Sequence, residues 1–218
     1  MTEQLSISVA AAGPFRTNTY FLRRGDRAVV VDPGMHAADY VTKFLDEQNL
    51  TCDAIVLSHG HIDHFRDAGA LQQRLDVPVY IHADDEFMLP AADGLPPEMK
   101  QLFDVPSMTP VDSPKHLVAG ETLPLLGADF VIHHAPGHSP GSVLMVAAKE
   151  GLALVGDVIF RGSIGRTDLP ASDPAAMQET LAGPVWALDD SLDLLPGHGP
   201  RTTMAHERAT NPFLFAFR

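Results

Sequence analysis

Ser58-His59-Gly60-His61-Ile62-Asp63-His64 sets three imidazoles and a carboxylate within six residues. The stretch directly follows Ala54-Ile55-Val56-Leu57, an apolar run of strand length. Four metal-competent side chains on one short loop at a strand's end are costly to solvate and hard to pack. A metal relieves both problems. Neutral imidazole and carboxylate are the ligands expected for zinc, and they also suit iron or manganese. A polar loop with chance histidines is the bland alternative. Lone histidines are common, but this density is not.

The rest of the chain supplies partners. His138 sits in Ala-Pro-Gly-His-Ser-Pro-Gly (135–141), Asp157 in Val-Gly-Asp-Val (155–158) and His198 in Leu-Pro-Gly-His-Gly-Pro (195–200). Each follows or closely trails an apolar segment and has glycine beside it, which lets a metal approach the backbone closely. Strand ends facing a common rim are where layered sheets place their sites. Seven ligands are too many for one tetrahedral ion. They suit two ions sharing a bridging carboxylate, with an open position for water.

With these residues in view, the chain resembles the metallo-β-lactamase superfamily, whose first motif reads H-x-H-x-D-H. The later His, Asp and His loops match in order and context, so the likeness spans nearly the whole chain. Within that superfamily it is most similar to the short glyoxalase II-like hydrolases. The stretches that carry this are Gly156–Asp168, Gly197–Pro200, and Glu207-Arg208 followed by Asn211-Pro212-Phe213-Leu214. The resemblance implies an α/β (α+β) fold, a four-layer αββα sandwich with its metals in a cleft at one edge of two sheets. It implies one metal on His59, His61 and His138, a second on Asp63, His64 and His198, and Asp157 bridging. Asp63 would also orient the attacking hydroxide. The expected cofactors are two divalent ions, zinc first, with iron or manganese as alternatives.

Composition agrees with one soluble enzyme domain over residues 1–218. The 218 residues can bury a sizeable core, and 45% are hydrophobic. A formal charge of −13 argues against nucleic acid, whose binding needs clustered Lys and Arg. Cys52 is the only cysteine, so no internal disulfide is expected, and it reads as a packed residue rather than a nucleophile. Ala10-Ala11-Ala12-Gly13 superficially suggests a leader cleavage site, but Glu3 stands where a basic region belongs and Leu5–Val9 alternates like a strand. No run of 18 apolar residues exists, so no membrane partner is expected and a cytoplasmic protein is the default.

Strands are expected at Leu5–Val9, Tyr20–Leu22, Ala28–Val31, Ala54–Leu57, Val77–Ile81, Glu121–Leu125, Phe130–His134, Val143–Ala147, Leu152–Val155 and Leu192–Leu195. Helices are expected at Ala37–Gln48, at Phe65–Leu75 with His64 near its start, at Pro174–Leu181 capped by Ser172 or Asp173, and near Met204–Arg208. Residues 88–114 read as a long irregular excursion with a short helix near Pro97–Phe103, either a wall over the site or an ordered surface connection. Strands then helix, twice, suggests two half-sandwiches packed face to face.

His36, His82, His116, His133, His134 and His206 have no metal-type spacing and read as surface or hydrogen-bonded residues, with His133 or His134 able to back the His138 loop. Asp32 could support the site from its strand end, but Asp-Pro-Gly is first of all a turn. Arg161 and Arg166 either bind an anionic substrate group or pair with carboxylates such as Asp168.

The leading function is hydrolysis of a thioester, S-lactoylglutathione-like, or of a related ester, with a metal-bridging hydroxide attacking the carbonyl. The partner is then a small molecule. Full-length glyoxalase II carries a C-terminal helical domain that grips glutathione. This chain ends soon after its last histidine loop and is expected to lack that domain. The alternative is a mononuclear-iron persulfide dioxygenase, which shares the Gly-Arg-Thr-Asp segment at 165–168 but would leave His61, Asp63, His64 and His198 unused. A lactonase and a non-catalytic metal-binding protein are the weaker readings.

Overall fold

The computed structural model describes residues 3–90 and 95–217. Its frame is two six-stranded sheets. The first runs in chain order through β1 (Ser6–Ala12), β2 (Thr17–Arg24), β3 (Arg27–Val31), β4 (Thr51–Val56), β5 (Val79–His82) and β6 (Lys115–Leu117). The first three strands pair antiparallel through tight turns, and the last three add in parallel. Parallel neighbours need crossovers. These are α1 (Ala37–Glu47), then α2 (Ile62–Phe65) with α3 (Ala68–Leu75), then the 83–114 connection carrying α4 (Pro97–Leu102).

The second sheet comprises β7 (Thr122–Leu125), β8 (Ala128–His134), β9 (Val143–Ala147), β10 (Leu152–Gly156), β13 (Asp193–Pro196) and β14 (Thr202–Thr203). Only β10 and β13 are parallel there. Their crossover holds a small hairpin, β11 (Ile159–Phe160) and β12 (Ser163–Ile164), and then α5 (Pro174–Thr180). The chain closes with α6 (Met204–Thr210) and a 3-10 turn, Pro212–Phe217.

Strand alternation explains the layers. Tyr20, Leu22, Val29 and Val31 face Phe130, Ile132, Val143, Met145 and Leu154 between the sheets. Their neighbours Phe21, Val30 and Ile55 turn the other way, onto Val41, Leu45 and Leu71 of α1 and α3. In the second sheet Leu144, Ala153 and Val155 do the same against Met177, Leu181 and Met204. Strands buried on both faces read as continuous apolar runs, which is why they are visible in the sequence. The result is four layers, helix–sheet–sheet–helix. No helix among the described residues is long and apolar enough to cross a membrane.

Three expectations need correction. The helix expected over Phe65–Leu75 is broken in two at Arg66 and Asp67. Asp67 leaves helical geometry to accept a hydrogen bond from Ala38 N–H at 2.9 Å, while its own N–H donates to the Pro33 carbonyl at 3.1 Å. Two-residue β11 and β12 and three-residue β6 appear where no strand was expected, because pieces that short show no period. The short helix expected in the 88–114 excursion is there as α4, but the rest is less irregular than expected: a second short turn, Val105–Ser107, follows it, and Arg66 ties the segment down. The Arg66 guanidinium, nearly buried, donates to the carbonyls of Phe103 (2.6 Å) and Asp104 (3.0 Å) and to the Ser107 hydroxyl (2.8 Å). Residues 91–94 of that excursion lie outside the described ones.

Candidate metal centre

The ends of β4, β10 and β13 and the β8–β9 turn meet along one edge of the two sheets. They bring His59, His61, Asp63, His64, His138, Asp157 and His198 together. Three overlapping groups form there: His59/His61/His138, His59/His64/Asp157 and Asp63/His64/His198, with the ligand-type atoms of each group within 4.8 Å of one another. In the first, His61 Nδ1 lies 3.1 Å from His59 Nε2 and 2.8 Å from His138 Nε2. In the last, His198 Nε2 lies 3.3 Å from His64 Nε2 and 3.2 Å from Asp63 Oδ2. Asp157 stands between them, with Oδ2 3.4 Å from both His138 and His198 and Oδ1 3.5 Å from His64.

The outward nitrogens explain why the inward ones are free. His138 Nδ1 donates to the Arg166 carbonyl at 2.8 Å, and His198 Nδ1 to the Phe15 carbonyl at 3.2 Å. His64 Nδ1 meets Asp32 Oδ2 at 3.0 Å. Ser58 Oγ lies 2.6 Å from that same oxygen and 3.0 Å from His59 Nδ1. One hydroxyl proton goes to the carboxylate, so His59 Nδ1 must supply its own. Each of these four imidazoles is thus held by its outer nitrogen with Nε2 turned inward, the orientation a metal needs. Asp32 serves both ends of the centre, one histidine directly and one through Ser58. It sits at φ 50°, a left-handed turn conformation at the end of β3.

Charge divides the centre. Burial, with the facing histidines, pushes His59 well below its ordinary value and His61 down to about 4, so those two rings are neutral. Burial also opposes charge on His64 and His198, but the carboxylates win. Asp63, Asp157 and Asp32 push His64 well up, and hydrogen bonds to Asp157 and Asp63 bring His198 to about 9. The same pairing outweighs burial to hold Asp63 at about 2 and Asp157 well below its usual range. Without an ion, the acidic end is balanced by protons on imidazole, the very positions a cation would take.

The donor set fits divalent metal. Asp157 Oδ1 is buried and accepts no hydrogen bond from the described residues. Such an orphan is costly unless something outside the protein meets it. The backbone also makes room: a Cβ on Gly197 would collide with Asp157 Oδ1 and His64 Cε1. A further group, His82, Asp84 and His134, lies apart from this centre. One nitrogen of each ring is committed: His134 Nε2 donates to the Pro140 carbonyl at 2.7 Å, His82 Nδ1 accepts from Asp84 N–H at 3.3 Å, and the two rings stack at 4.3 Å.

Neither arginine reaches into the centre. Arg166 makes a two-pronged pair with Asp168 at 2.6 and 2.8 Å, and its carbonyl, not its charge, serves His138. Arg161 is exposed at the tip of the β11–β12 hairpin, whose Phe160 ring lies 6.2 Å from the His198 ring. Cys52 is buried with its thiol pushed up to about 11 by desolvation, which makes it a poor nucleophile.

The residues that sequence reading passed over are supports. Thr17 Oγ1 donates to Asp63 Oδ2 at 2.8 Å. Asn18 Nδ2 donates to the carbonyls of Pro196 (2.9 Å) and Gly199 (2.8 Å), and Tyr20 Oη donates to Pro196 at 2.7 Å. Thr19 Oγ1 holds the Asp32 carbonyl at 2.8 Å. The available signal was Thr17-Asn18-Thr19-Tyr20, four hydrogen-bonding side chains in a row that are all buried.

The comparisons agree with this geometry. Residues 12–200 match the family model described as metallo-beta-lactamase superfamily. Hydroxyacylglutathione hydrolase GloC of Haemophilus influenzae is 30% identical over 213 residues, spanning 96% of this chain and 98% of that protein. Among solved structures, the BLEG-1 B3 metallo-beta-lactamase superposes with a TM-score of 0.86 at 34% identity, covering 96% of this chain and 100% of its own. TTHA1623, solved in a di-iron-bound form, gives a TM-score of 0.81 at 34% identity, with 95% and 100% coverage. The chain therefore belongs to the metallo-beta-lactamase superfamily, as a glyoxalase II-like metallo-hydrolase with a His/Asp centre for divalent metal.

Proposed function

We propose that this protein hydrolyses a thioester of the S-lactoylglutathione type, or a related ester, with two divalent ions at the centre. The observation that carries the reading is the pair of ligand groups sharing Asp157, with its orphaned buried oxygen between them. His59, His61 and His138 would hold one ion, Asp63, His64 and His198 the other, and Asp157 both. Zinc suits these ligands, and so does iron; the di-iron form of TTHA1623 supports the latter. Bound there, divalent ions lower the pKa of water toward neutrality and polarise a carbonyl oxygen.

The chain's own residues do the positioning. Asp63, held by the Thr17 hydroxyl at 2.8 Å, orients the attacking water. Asp32 keeps His59 and His64 facing inward. A thiolate leaves readily (thiol pKa of roughly 8.5), so no strong general acid is required. Arg161, exposed on the hairpin whose Phe160 borders His198, would meet an anionic carrier outside the centre.

A one-iron persulfide dioxygenase would use only three of the ligands. The convergence of Asp63, His64 and His198 favours the two-ion hydrolase over it. Metal analysis of purified protein together with three assays separates the readings: S-lactoylglutathione hydrolysis, β-lactam hydrolysis and oxygen uptake on a glutathione persulfide. Two ions per chain with thioester cleavage is the expected result. One iron with oxygen uptake, or β-lactam turnover exceeding that of thioesters, would sink it.

A further inference from the structure

The two ligand groups are braced by different parts of the fold. Apart from Asp32, which serves both, the Asp63/His64/His198 end leans on the polar start of β2. The His59/His61/His138 end depends on a residue outside the centre, Asp85. This side chain is fully buried in the turn after β5. Its Oδ2 accepts from Gly60 N–H at 2.7 Å and from Ser139 Oγ at 2.6 Å, and its Oδ1 from Gly141 N–H at 2.6 Å.

Those donors lie in the two loops that carry the three histidines. Gly60 separates His59 from His61, Ser139 directly follows His138, and Gly141 lies three residues after it. The fit is close on both sides. A Cβ on Gly60 would come within 3.0 Å of Asp85 Cβ, and one on Gly141 within 2.7 Å of its Cγ. Three inward hydrogen bonds to a buried carboxylate are strong ones, and losing them leaves donors unpaired.

We propose that Asp85 is a positioning residue that sets the metal affinity of the His59/His61/His138 site and leaves the Asp63/His64/His198 site almost untouched. It fixes the spacing of two loops that come from different sheets and share no direct covalent tie. His138 reaches His61 across that junction at 2.8 Å, so widening it spreads the three nitrogens apart. The proposal rests on the reading that these histidines hold an ion.

The test is chelator-competition titration with Co2+ or Zn2+ of wild-type protein, Asp85→Asn, His61→Ala and Thr17→Val, scoring both sites. Outer partners of metal ligands typically govern 10–100-fold in affinity. Asp85→Asn should therefore weaken one of two sites by at least tenfold and change the other less than threefold. The Co2+ absorption of the weakened site should be the same band that His61→Ala removes. Thr17→Val should do the reverse, weakening the other site. If His61→Ala leaves both sites intact, the ligand reading itself fails. If His61→Ala removes a site that Asp85→Asn binds as tightly as wild type does, the role of Asp85 is overturned and the ligand reading stands. Equal weakening of both sites also overturns it. Should Asp85→Asn not fold, Ser139→Ala removes one of the three bonds and decides the matter by the same selectivity.

Discussion

Asp157 is the residue on which the centre turns. It touches both ligand groups, with Oδ2 3.4 Å from His138 and from His198 and Oδ1 facing His64. Asp157→Ala should therefore lose both ions and cut turnover at least a thousandfold, read by metal content and kcat. Full metal content with retained activity would remove Asp157 from the ligand set. The acidic end also fixes a pH dependence. His198 is raised to about 9 by its carboxylates, so below that pH a proton competes with the ion. Affinity at this end should rise with pH up to about 9, approaching tenfold per unit for one displaced proton. Competition titrations at pH 6.5, 7.5 and 8.5 should show this slope; a flat profile would contradict it. The seven residues that converge here were legible in the sequence, four on one loop and three on loops of their own, because each loop carries glycine and follows or closely trails an apolar run. Asp32 showed there only as a turn residue able to support the site, and Asp85 and Thr17 did not show at all, since their partners lie 25 and 46 residues away. A carboxylate that braces a distant loop looks, in sequence, like any turn residue.

At the scale of elements, the start of β2 acts as a rack for the last histidine loop. Asn18→Ala would leave the buried Pro196 carbonyl to Tyr20 alone and take the side-chain donor from Gly199, and should cost about 1 kcal/mol. Denaturant unfolding measures that loss, and the Asp63/His64/His198 site should loosen with it. The β11–β12 hairpin is held from the far end of the chain. The buried carboxylate of Glu207 accepts from Gly162 N–H at 2.8 Å, and Asn211 Nδ2 donates to the Ser163 carbonyl at 3.0 Å. The Glu207 and Asn211 segment that marks the family in sequence thus shapes the rim beside His198. Arg161→Gln on that hairpin should raise KM for an anionic thioester several-fold with kcat nearly kept, the pattern of lost uniform binding. An unchanged KM would leave the arginine a surface residue. Long buried strands were readable as apolar runs. The helix break at Arg66–Asp67 was not, because the hydrogen bonds that force it come from Pro33 and Ala38 in another part of the chain.

In the molecule as a whole, the ligands are shared between the two sheets. His59, His61, Asp63 and His64 follow β4, while His138, Asp157 and His198 belong to the second sheet's loops. Metal should then stabilise the entire fold. An ion at a hundred times its Kd contributes about 2.7 kcal/mol, and stripping it with a chelator should lower Tm by roughly 5–10 °C for a chain of this size. Calorimetry with and without chelator checks this. The sharing has another consequence. The crossing from β6 to β7 is a short exposed stretch, Val118–Glu121. A chain cut there would yield two fragments, one with four ligands and one with three, each presenting an uncovered sheet face to the other. Co-expressed, such halves would regain a complete centre only by reuniting, and the ion would act as their clasp, so that their reassembly reports free divalent metal.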